Sequence, residues 1–320
     1  MTPVATVIDN LQRAARALRD LSDSPRLDAE LLLGKVLGLS RAGLMARSDE
    51  PVAAERERAY DGLIDRRLQG APVAYLTGTR EFWSLPLTVT PAVLVPRPET
   101  ELLVELALQR IPKRRAHALA NRAAPAGPAL LAHQIASADQ ALSAHQIRST
   151  DPVGSVLDLG TGSGAIALAI ASERPGLRVT GVDISPAALE VAIQNSRDLG
   201  LTHIDWRLGS WFEAVSGEKF DVIVANPPYV AAADPALQIL RAEPAIALNA
   251  GPTGLDALCV IACAAASHLN DSGWLLLEHG SDQAPDVARL LDSQGFTEVR
   301  SQEDFSGKPR VTLGTFHSHH

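Results

Sequence analysis

A glycine-rich turn between a buried strand and a helix is the feature that most constrains the fold of this chain. Residues 156–166 read VLDLGTGSGAI, an apolar run that enters a turn with three alternating glycines and continues into a helical pattern. Such glycines let the chain bend sharply and bring its backbone close to a ligand, and free N–H groups at the helix start favour a carboxylate or phosphate. The segment therefore predicts a strand–turn–helix unit with a ligand at the turn.

A second strand supports this prediction because it ends in an acid at a suitable distance. Residues 178–182 form an apolar run that ends at Asp183, about twenty residues after the glycines, where an acid can accept both hydroxyls of a ribose. Two more strands, at residues 203–208 and 220–225, also end at polar or aromatic residues. Ligands of an open α/β sheet bind at the carboxyl ends of its strands, so we expect these residues along one edge.

The tetrapeptide Asn226-Pro227-Pro228-Tyr229 predicts a pocket for a flat NH2 group. An amide or ring-amine nitrogen is a poor nucleophile until acceptors hold its protons, and the side-chain carbonyl of Asn226 is one such acceptor. The two prolines stiffen the turn so that a main-chain carbonyl can be the second acceptor, and Tyr229 offers a face for stacking. A rigid turn after a strand is the alternative interpretation, and the tetrapeptide alone does not decide between them.

The second half of the chain alternates between helical and strand patterns. Residues 255–268 and 285–293 are predicted helices, residues 273–278 form a buried strand, and two closing strands follow near Glu298 and Val311. A late strand pair after the last helix suits the seven-stranded, Rossmann-like sheet of class I S-adenosylmethionine-dependent methyltransferases better than a dinucleotide dehydrogenase. We therefore predict an α/β fold of that class.

Changes of periodicity along the chain predict four segments. Residues 1–78 have a helical period and predict a small N-terminal helical bundle, whose mixed basic and acidic faces are either solvated or a docking surface. Residues 79–111 predict a β-hairpin and a stiff connector. Residues 112–151 are rich in alanine and poor in large apolar residues, which predicts a poorly ordered insert. Residues 152–316 carry the methyltransferase pattern.

Charge and hydrophobicity limit the classes of partner that this protein is expected to bind. A formal net charge of −8 gives no basic field for a nucleic acid backbone. No stretch has the length and hydrophobicity of a signal peptide core or a membrane span. We therefore expect a protein that acts directly on neither nucleic acid nor membrane. We also expect it to be cytoplasmic and a monomer.

Neither cysteine nor histidine predicts a metal site. Cys259 and Cys263 are spaced i, i+4 in an apolar helical pattern, which favours buried structural thiols over a metal pair or a disulfide. The histidines at the C-terminus form too short a cluster to indicate a metal site. We expect no metal, and reduced thiols suit the cytoplasm.

Several motifs together resemble those of the protein-(glutamine-N5) methyltransferases that modify peptide chain release factors. The resemblance covers the helical bundle, the hairpin REFWSLPL (residues 80–87), the connector PRPETE (96–101), the glycine turn, Asp183, NPPY (226–229) and LLLEHG (275–280). NPPY is shared with adenine-N6 and other amino methyltransferases, whereas the combination of hairpin and connector is far more specific. Only the insert lies outside the resemblance.

The resemblance implies S-adenosylmethionine as methyl donor, with S-adenosylhomocysteine as product. It implies the glutamine of the Gly-Gly-Gln motif of release factors as acceptor and the helical bundle as the release-factor docking domain. The implied cofactor-binding residues are Gly160, Thr161, Gly162, Ser163, Gly164, Asp183, Trp211 and Asn226. Of these, Asp183 is expected at the ribose diol and Trp211 near the adenine. Many relatives carry an acid where Ser210 stands, and its hydroxyl can still bond the adenine edge.

The resemblance also assigns the acceptor site. The implied catalytic residues are Asn226, Pro227 and Tyr229, and the implied substrate-binding residues are Asn226, Pro227, Pro228 and Tyr229. In this assignment the first two accept the amide protons of the glutamine, and the tyrosine packs on the amide plane.

Two other functions use parts of the same pattern. A nucleic-acid amino methyltransferase of the adenine-N6 type would carry the same tetrapeptide, but we expect it to have a basic groove or a base-recognition domain, and this chain is acidic with a helical bundle. A non-catalytic binding module is expected to lack a glycine of the turn, Asp183 or Asn226, and all of them are present. The glutamine methyltransferase is therefore the favoured prediction.

Overall fold

A computed structural model describes residues 5–112 and 154–318, and the described chain begins with five helices. These are α1 (Val7–Ala17), α2 (Pro25–Leu37), α3 (Arg41–Ala46), α4 (Ala54–Leu68) and α5 (Val73–Thr77). Thr6 and Asp9 form a capping box at the start of α1, which satisfies two N–H groups that a helix start leaves unpaired. Leu32, Leu33 and Tyr60 are fully buried between the helices, so the helices pack around one apolar core.

A β-hairpin joins these helices to the rest of the chain. Strands β1 (Thr79–Phe82) and β2 (Leu85–Thr88) pair antiparallel through a two-residue turn. Both turn residues, Trp83 and Ser84, have left-handed backbone angles, with φ of 53° and 59°, as the tight turn of a twisted hairpin requires. After the hairpin, a short 3₁₀ turn (Pro98–Thr100) leads into α6 (Glu101–Arg110).

The second half of the chain forms a seven-stranded sheet flanked by helices. Its strands are β3 (Ser155–Leu159), β4 (Arg178–Asp183), β5 (Asp205–Leu208), β6 (Phe220–Ala225), β7 (Leu269–Glu278), β8 (Thr297–Glu303) and β9 (Pro309–Phe316). The helices are α7 (Ala165–Glu173), α8 (Pro186–Asp198), α9 (Ala236–Ile239), α10 (Asp256–Ala265) and α11 (Ala284–Ser293). The strand order is β5-β4-β3-β6-β7-β9-β8, which confirms the predicted seven-stranded α/β sheet.

The order of the strands decides where a ligand can bind. The adjacent strands β5, β4, β3, β6 and β7 are parallel to one another, whereas β9 is antiparallel to both β7 and β8. From β3 the chain continues to β4 on one side and later returns to β6 on the other, so the strand order reverses beside β3. Such a reversal opens a crevice at the carboxyl ends of the strands, where ligands of open α/β sheets bind.

The prediction of buried cysteines is wrong. Helix α10 turns Leu258, Ile261 and Ala262 toward the sheet, and all three are fully buried. Cys259 and Cys263 share the opposite face of the same helix and are exposed. Residues four apart lie on one helix face, so the spacing was informative, but the apolar sequence around the pair did not reveal which face packs on the sheet.

The predicted insert begins at the edge of the described chain. Residues 113–151 lie outside the described residues, so the prediction of poor order stays untested. The chain meets itself at the two ends of this gap, because a Cβ placed on Gly154 would lie 3.5 Å from Cδ of Pro112. Within the described ranges, no helix is long and apolar enough to cross a membrane.

Candidate active site

A cavity of about 460 Å³ opens at the carboxyl ends of β3, β4 and β6. Among the predicted site residues, the following line it: Gly160, Thr161, Gly162, Ser163, Asp183, Trp211, Asn226 and Pro228. Ser210, whose hydroxyl is expected at the adenine edge, also lines it. The predicted residues Gly164, Pro227 and Tyr229 are not part of the lining. The sheet edge therefore brings together the glycine turn, the acid after β4 and the start of the tetrapeptide.

Backbone hydrogen bonds hold the glycine turn against the next strand. The N–H groups of Gly160 and Thr161 both donate to the carbonyl oxygen of Val182, at 2.9 and 3.0 Å. The N–H of Gly162 donates to Oδ2 of Asp183 at 2.8 Å, and this glycine has a φ of +57°, which an L side chain rarely adopts. The turn and the acid after β4 are thus fixed to each other before any ligand binds.

Gly164 shapes the turn from behind the cavity. It has a φ of +82°, and a Cβ at this position would lie 2.9 Å from Cη2 of Trp206. Its N–H donates to the carbonyl oxygen of Thr161 at 2.9 Å, and α7 begins at the next residue. Glycine is therefore required for the close packing of the turn on Trp206, which keeps the N-terminal end of α7 directed at the cavity.

The carboxylate of Asp183 is held by two backbone donors. Gly162 binds Oδ2, and the N–H of Ser185 donates to Oδ1 at 2.9 Å. Each carboxylate oxygen can accept more than one hydrogen bond. Asp183 is only half-buried and lines the cavity, so it can accept hydroxyl donors from a ligand in a fixed orientation.

Asp158 is a buried acid that lies under the turn. No role was predicted for it from the sequence. Its Oδ2 accepts the hydroxyl of Thr161 at 2.6 Å and the N–H of Ala167 at 3.2 Å. Burial raises the pKa of Asp158 to about 7. The sequence contains a signal for such a role, because a charged residue inside a buried strand needs hydrogen-bond partners. Here the partners are Thr161 and Ala167, and the two bonds hold the turn to α7.

Trp211 provides an aromatic wall beside the glycine turn. Its Cζ3 atom lies 3.6 Å from the position of a Cβ on Gly160. Its φ is +48°, an uncommon conformation for a bulky residue that often marks a functional site. The ring is thus held next to the turn, beside Ser210.

Asn226 is oriented by a residue from a distant part of the chain. Its Nδ2 donates to Oγ1 of Thr100 at 3.1 Å, and Thr100 is buried at the end of the connector. Among the described residues no donor binds Oδ1 of Asn226, and both residues line the cavity. The carbonyl of this amide is therefore available to a ligand while its NH2 group is occupied. Sequence reasoning did not identify Thr100.

The rest of the tetrapeptide is anchored from the opposite side. Tyr229 packs on the sheet core formed with α10 and α11, and burial raises the pKa of its hydroxyl far above the usual range. Its carbonyl oxygen accepts Nε2 of Gln283 at 3.1 Å. The N–H of Val230 donates to the carbonyl oxygen of Leu248 at 2.9 Å, so the following loop folds back to the cavity.

A partly buried ion pair ties this returning loop to the connector. Oε2 of Glu243 accepts the N–H of Val95 at 3.0 Å, and Oε1 accepts Nη2 of Arg97. The Glu243 side chain is 3% exposed and that of Arg97 is 34% exposed. Because Arg97 lines the cavity, this pair fixes part of its wall. No sequence pattern indicates that Glu243 is the partner of Arg97, which lies 146 positions away.

Comparisons with known proteins agree on both halves of the chain. The family model "PrmC N-terminal domain" matches residues 9–78, and the family model "Methyltransferase domain" matches residues 151–280. A protein of Xylella fastidiosa (strain Temecula1), named release factor glutamine methyltransferase, is 44% identical over 291 residues, covering 90% of this chain and 92% of the relative. A protein of the same name from Salmonella typhimurium (strain LT2) is 42% identical over 308 residues, covering 96% and 97%.

One similar solved structure is titled as a release factor-specific protein-(glutamine-N5) methyltransferase from Alicyclobacillus acidocaldarius. It is 26% identical to this chain, with a TM-score of 0.38, and the match covers 72% of this chain and 100% of that one.

Proposed function

The chain belongs to the release factor glutamine methyltransferase family, and on that premise we propose that it transfers a methyl group from S-adenosylmethionine to the side-chain amide nitrogen, N5, of a glutamine in a peptide chain release factor. We assign the acceptor to the glutamine of the Gly-Gly-Gln motif. The observation that carries this proposal is the amide of Asn226, whose NH2 group is bound by Thr100 while its carbonyl is open to the cavity.

The residues of the glycine-turn wall fit S-adenosylmethionine. The cavity of about 460 Å³ is of the size that small-molecule cofactors occupy. The N-terminal end of α7 presents N–H groups that favour the carboxylate of the methionine part, Asp183 can accept the ribose hydroxyls, and Trp211 offers a face to the adenine. When bound, the cofactor would supply a methyl group on a positively charged sulfur, which leaves as a neutral thioether when a nitrogen atom attacks the methyl carbon, and the nitrogen loses a proton after transfer.

The acceptor wall prepares the glutamine nitrogen. An amide nitrogen shares its lone pair with the carbonyl, so it attacks only when acceptors hold its protons. Oδ1 of Asn226 accepts one of these protons, and the main-chain carbonyl of Pro227 is proposed to accept the other, with Tyr229 at the amide plane. Alignment and charge placement then do most of the catalysis, and no strong base is needed before transfer.

We propose that the helical bundle docks the release factor beside this cavity and that the protein acts as a cytoplasmic monomer. Two contacts support a fixed relation between the bundle and the cavity. The hydroxyl of Tyr75 donates to the carbonyl oxygen of Val93 at 2.5 Å, and Val93 lines the cavity. Nη2 of Arg241 donates to the carbonyl oxygen of Gln69 at 3.3 Å. A protein held by the bundle is thus held relative to the site.

The test supplies S-adenosylmethionine with a labelled methyl group to purified protein together with one of three acceptors. These are a release factor, the same factor with its motif glutamine replaced by alanine, and nucleic acids. We expect label in the first acceptor alone. Label in nucleic acid would support an adenine-N6 type enzyme instead, and undiminished label in the glutamine-less factor would overturn the assignment of the acceptor.

A further inference from the structure

The two prolines of the tetrapeptide cannot fix their own turn by donating hydrogen bonds. Pro227 and Pro228 carry no backbone N–H, so the direction of the Pro227 carbonyl depends on what holds the residues before and after the pair. The first of these, Asn226, directly follows β6 and bonds Thr100. The second, Tyr229, therefore needs an anchor of its own.

The buried side chain of Gln283 supplies that anchor from outside the cavity lining. Its Nε2 donates to the carbonyl oxygen of Tyr229 at 3.1 Å and to that of Gly254 at 3.2 Å. Its Oε1 accepts the N–H of Gly280 at 2.8 Å. The carboxamide thus uses both of its protons and one acceptor position, and it joins three separate parts of the backbone.

These three partners determine both the orientation and the type of this side chain. The N–H of Gly280 can only donate and the two carbonyl oxygens can only accept, so exchange of Oε1 and Nε2 would place like groups together at every contact. A glutamate offers no donor to the carbonyls, and a lysine or arginine offers no acceptor to the N–H. The position therefore requires a carboxamide.

The same amide joins the tetrapeptide to another part of the cavity wall. Gly254 has a φ of +76°, and a Cβ on it would lie 2.5 Å from the carbonyl oxygen of Tyr229, so this glycine packs directly on the end of the tetrapeptide. Its neighbours Gly251 and Asp256 line the cavity. Two carbonyl oxygens that share one nitrogen would repel each other without its protons. Gln283 thus sets the spacing between the turn and this loop.

We propose that Gln283 is a positioning residue which, by holding the carbonyl group of Tyr229, sets the direction of the Pro227 carbonyl toward the acceptor nitrogen. This inference rests on the proposed function. Each proline has its φ fixed near −65°, so a shift of the tyrosine carbonyl is poorly absorbed between the two and moves the Pro227 oxygen. Misplacement of a reacting partner by about 1 Å can cost on the order of a hundredfold in rate.

Asn195 offers a matched control, because it makes the same set of bonds at the other wall. Its side chain is buried, and its Oδ1 accepts the N–H of Thr88 at 2.7 Å. Its Nδ2 donates to the carbonyl oxygens of Thr88 and Ser163, at 3.0 and 2.9 Å. Ser163 belongs to the glycine turn. Replacing this carboxamide by a carboxylate removes the same kind of bonds without touching the acceptor wall.

The experiment measures methyl transfer to a release factor at saturating S-adenosylmethionine for Gln283→Glu, Gln283→Met and the control Asn195→Asp. Gln283→Glu keeps the shape and turns an oxygen toward the two carbonyls. Gln283→Met removes the donors without adding a charge, and it carries the test if the first variant does not fold. We expect kcat to fall roughly ten- to a hundredfold in both, with little change in affinity for S-adenosylhomocysteine. Asn195→Asp should lose comparable stability and keep most of its kcat, while its cofactor affinity falls.

A second readout does not depend on activity. The N–H of Val230 donates to the carbonyl oxygen of Leu248 immediately after the residue that Gln283 holds. We expect hydrogen exchange of the Val230 amide, followed by NMR, to be about tenfold faster in both Gln283 variants, as for loss of one hydrogen bond. In Asn195→Asp it should stay as in the unaltered protein.

The outcomes separate this inference from the function on which it rests. If the unaltered protein does not methylate the factor, the proposed function fails, and unchanged exchange at Val230 would independently overturn the anchoring by Gln283. If the factor is methylated, the positioning role is wrong when both Gln283 variants keep their kcat, or when their cofactor affinity falls as much as kcat. It is also wrong if Asn195→Asp loses as much kcat at equal stability, since destabilisation then explains the loss.

Discussion

The glycine-turn wall of the cavity is built from backbone, whereas the acceptor wall is built from side chains that come from distant parts of the chain. On the first wall, residues 160–164 and Asp183 are held by main-chain N–H groups within one strand–turn–helix unit and its neighbouring strand. On the second, Asn226 depends on Thr100, 126 positions earlier, and Glu243 on Arg97, 146 positions earlier.

Because the two walls are built differently, cofactor binding and methyl transfer can change independently. A wall made of backbone tolerates substitution outside its glycines and acid, because most of its geometry does not depend on side chains. A wall made of side chains is sensitive to single changes but can be altered without disturbing the first. We therefore expect cofactor affinity and methyl transfer to be separable by mutation.

Asn226→Ala should give the largest separation between methyl transfer and cofactor affinity. It removes the acceptor carbonyl but leaves the glycine turn intact, so transfer should fall on the order of a thousandfold, as for loss of a preorganised group at a reacting centre. Affinity for S-adenosylhomocysteine, measured by calorimetry, should change only a few-fold. Asn270→Ala is the control, since that amide bonds Asp221 at the other end of the sheet. Turnover that persists in Asn226→Ala would refute the acceptor role of the carbonyl.

Asp183→Ala should act mainly on cofactor affinity, whereas Asn226→Ala acts mainly on methyl transfer. It removes the proposed ribose acceptor and leaves the N–H groups of Gly162 and Ser185 without their carboxylate. We expect affinity for S-adenosylhomocysteine to fall about a hundredfold, the effect of losing two hydrogen bonds to a charged group. Asp198→Ala, on the exposed end of α8, serves as control. Unchanged cofactor affinity in Asp183→Ala would mean that the ribose lies elsewhere.

Arg97→Gln should weaken the acceptor wall without removing a catalytic group. It leaves the carboxylate of Glu243 buried without its cation, and because Arg97 is partly exposed we expect a loss of about 2 kcal/mol in the free energy of unfolding. The KM for the release factor should rise more than the Kd for the cofactor. The matched control is Arg289→Gln, whose ion pair with Asp286 is exposed on both sides. Equal losses of stability in the two variants would refute the anchoring role.

The exposed cysteines should give the smallest effect. Cys259→Ser and Cys263→Ser change a helix face that packs on neither wall, so the free energy of unfolding should change by less than about 0.5 kcal/mol. In the folded protein both thiols should react with a chromophoric disulfide reagent at a rate set by exposure, slowed for Cys259 because burial raises the pKa of its thiol. Protection of both thiols until denaturant is added would contradict the exposed face.

The same contrast explains how much the sequence could predict. Gly160, Gly162, Asp183 and Asn226 were predicted at one sheet edge, and all four line the cavity. They were accessible because a strand, its turn and the next strand are local patterns. Thr100 and Glu243 were assigned no role, since a sequence pattern does not show which residues meet across more than a hundred positions.

Burial is also hard to infer from a single segment. The surroundings of Cys259 and Cys263 are apolar along the chain, but the sheet covers only one side of their helix, and both cysteines lie on the other. Asp158 is the opposite case, a charged residue in a run buried throughout. Each outcome depends on what packs against the element, which only the assembled sheet decides.

The contact between Pro112 and Gly154 makes this position in the chain suitable for the insertion of another sequence. The chain leaves α6 and enters β3 at nearly the same point. A segment that joins these two points therefore has no long distance to span, and its length can vary. The entropy of closing a loop grows only slowly with its length, by about 0.6 kcal/mol per doubling. A short linker, an affinity tag or an entire reporter domain can therefore replace residues 113–153, and the sheet carrying both walls receives the same two chain ends in each case.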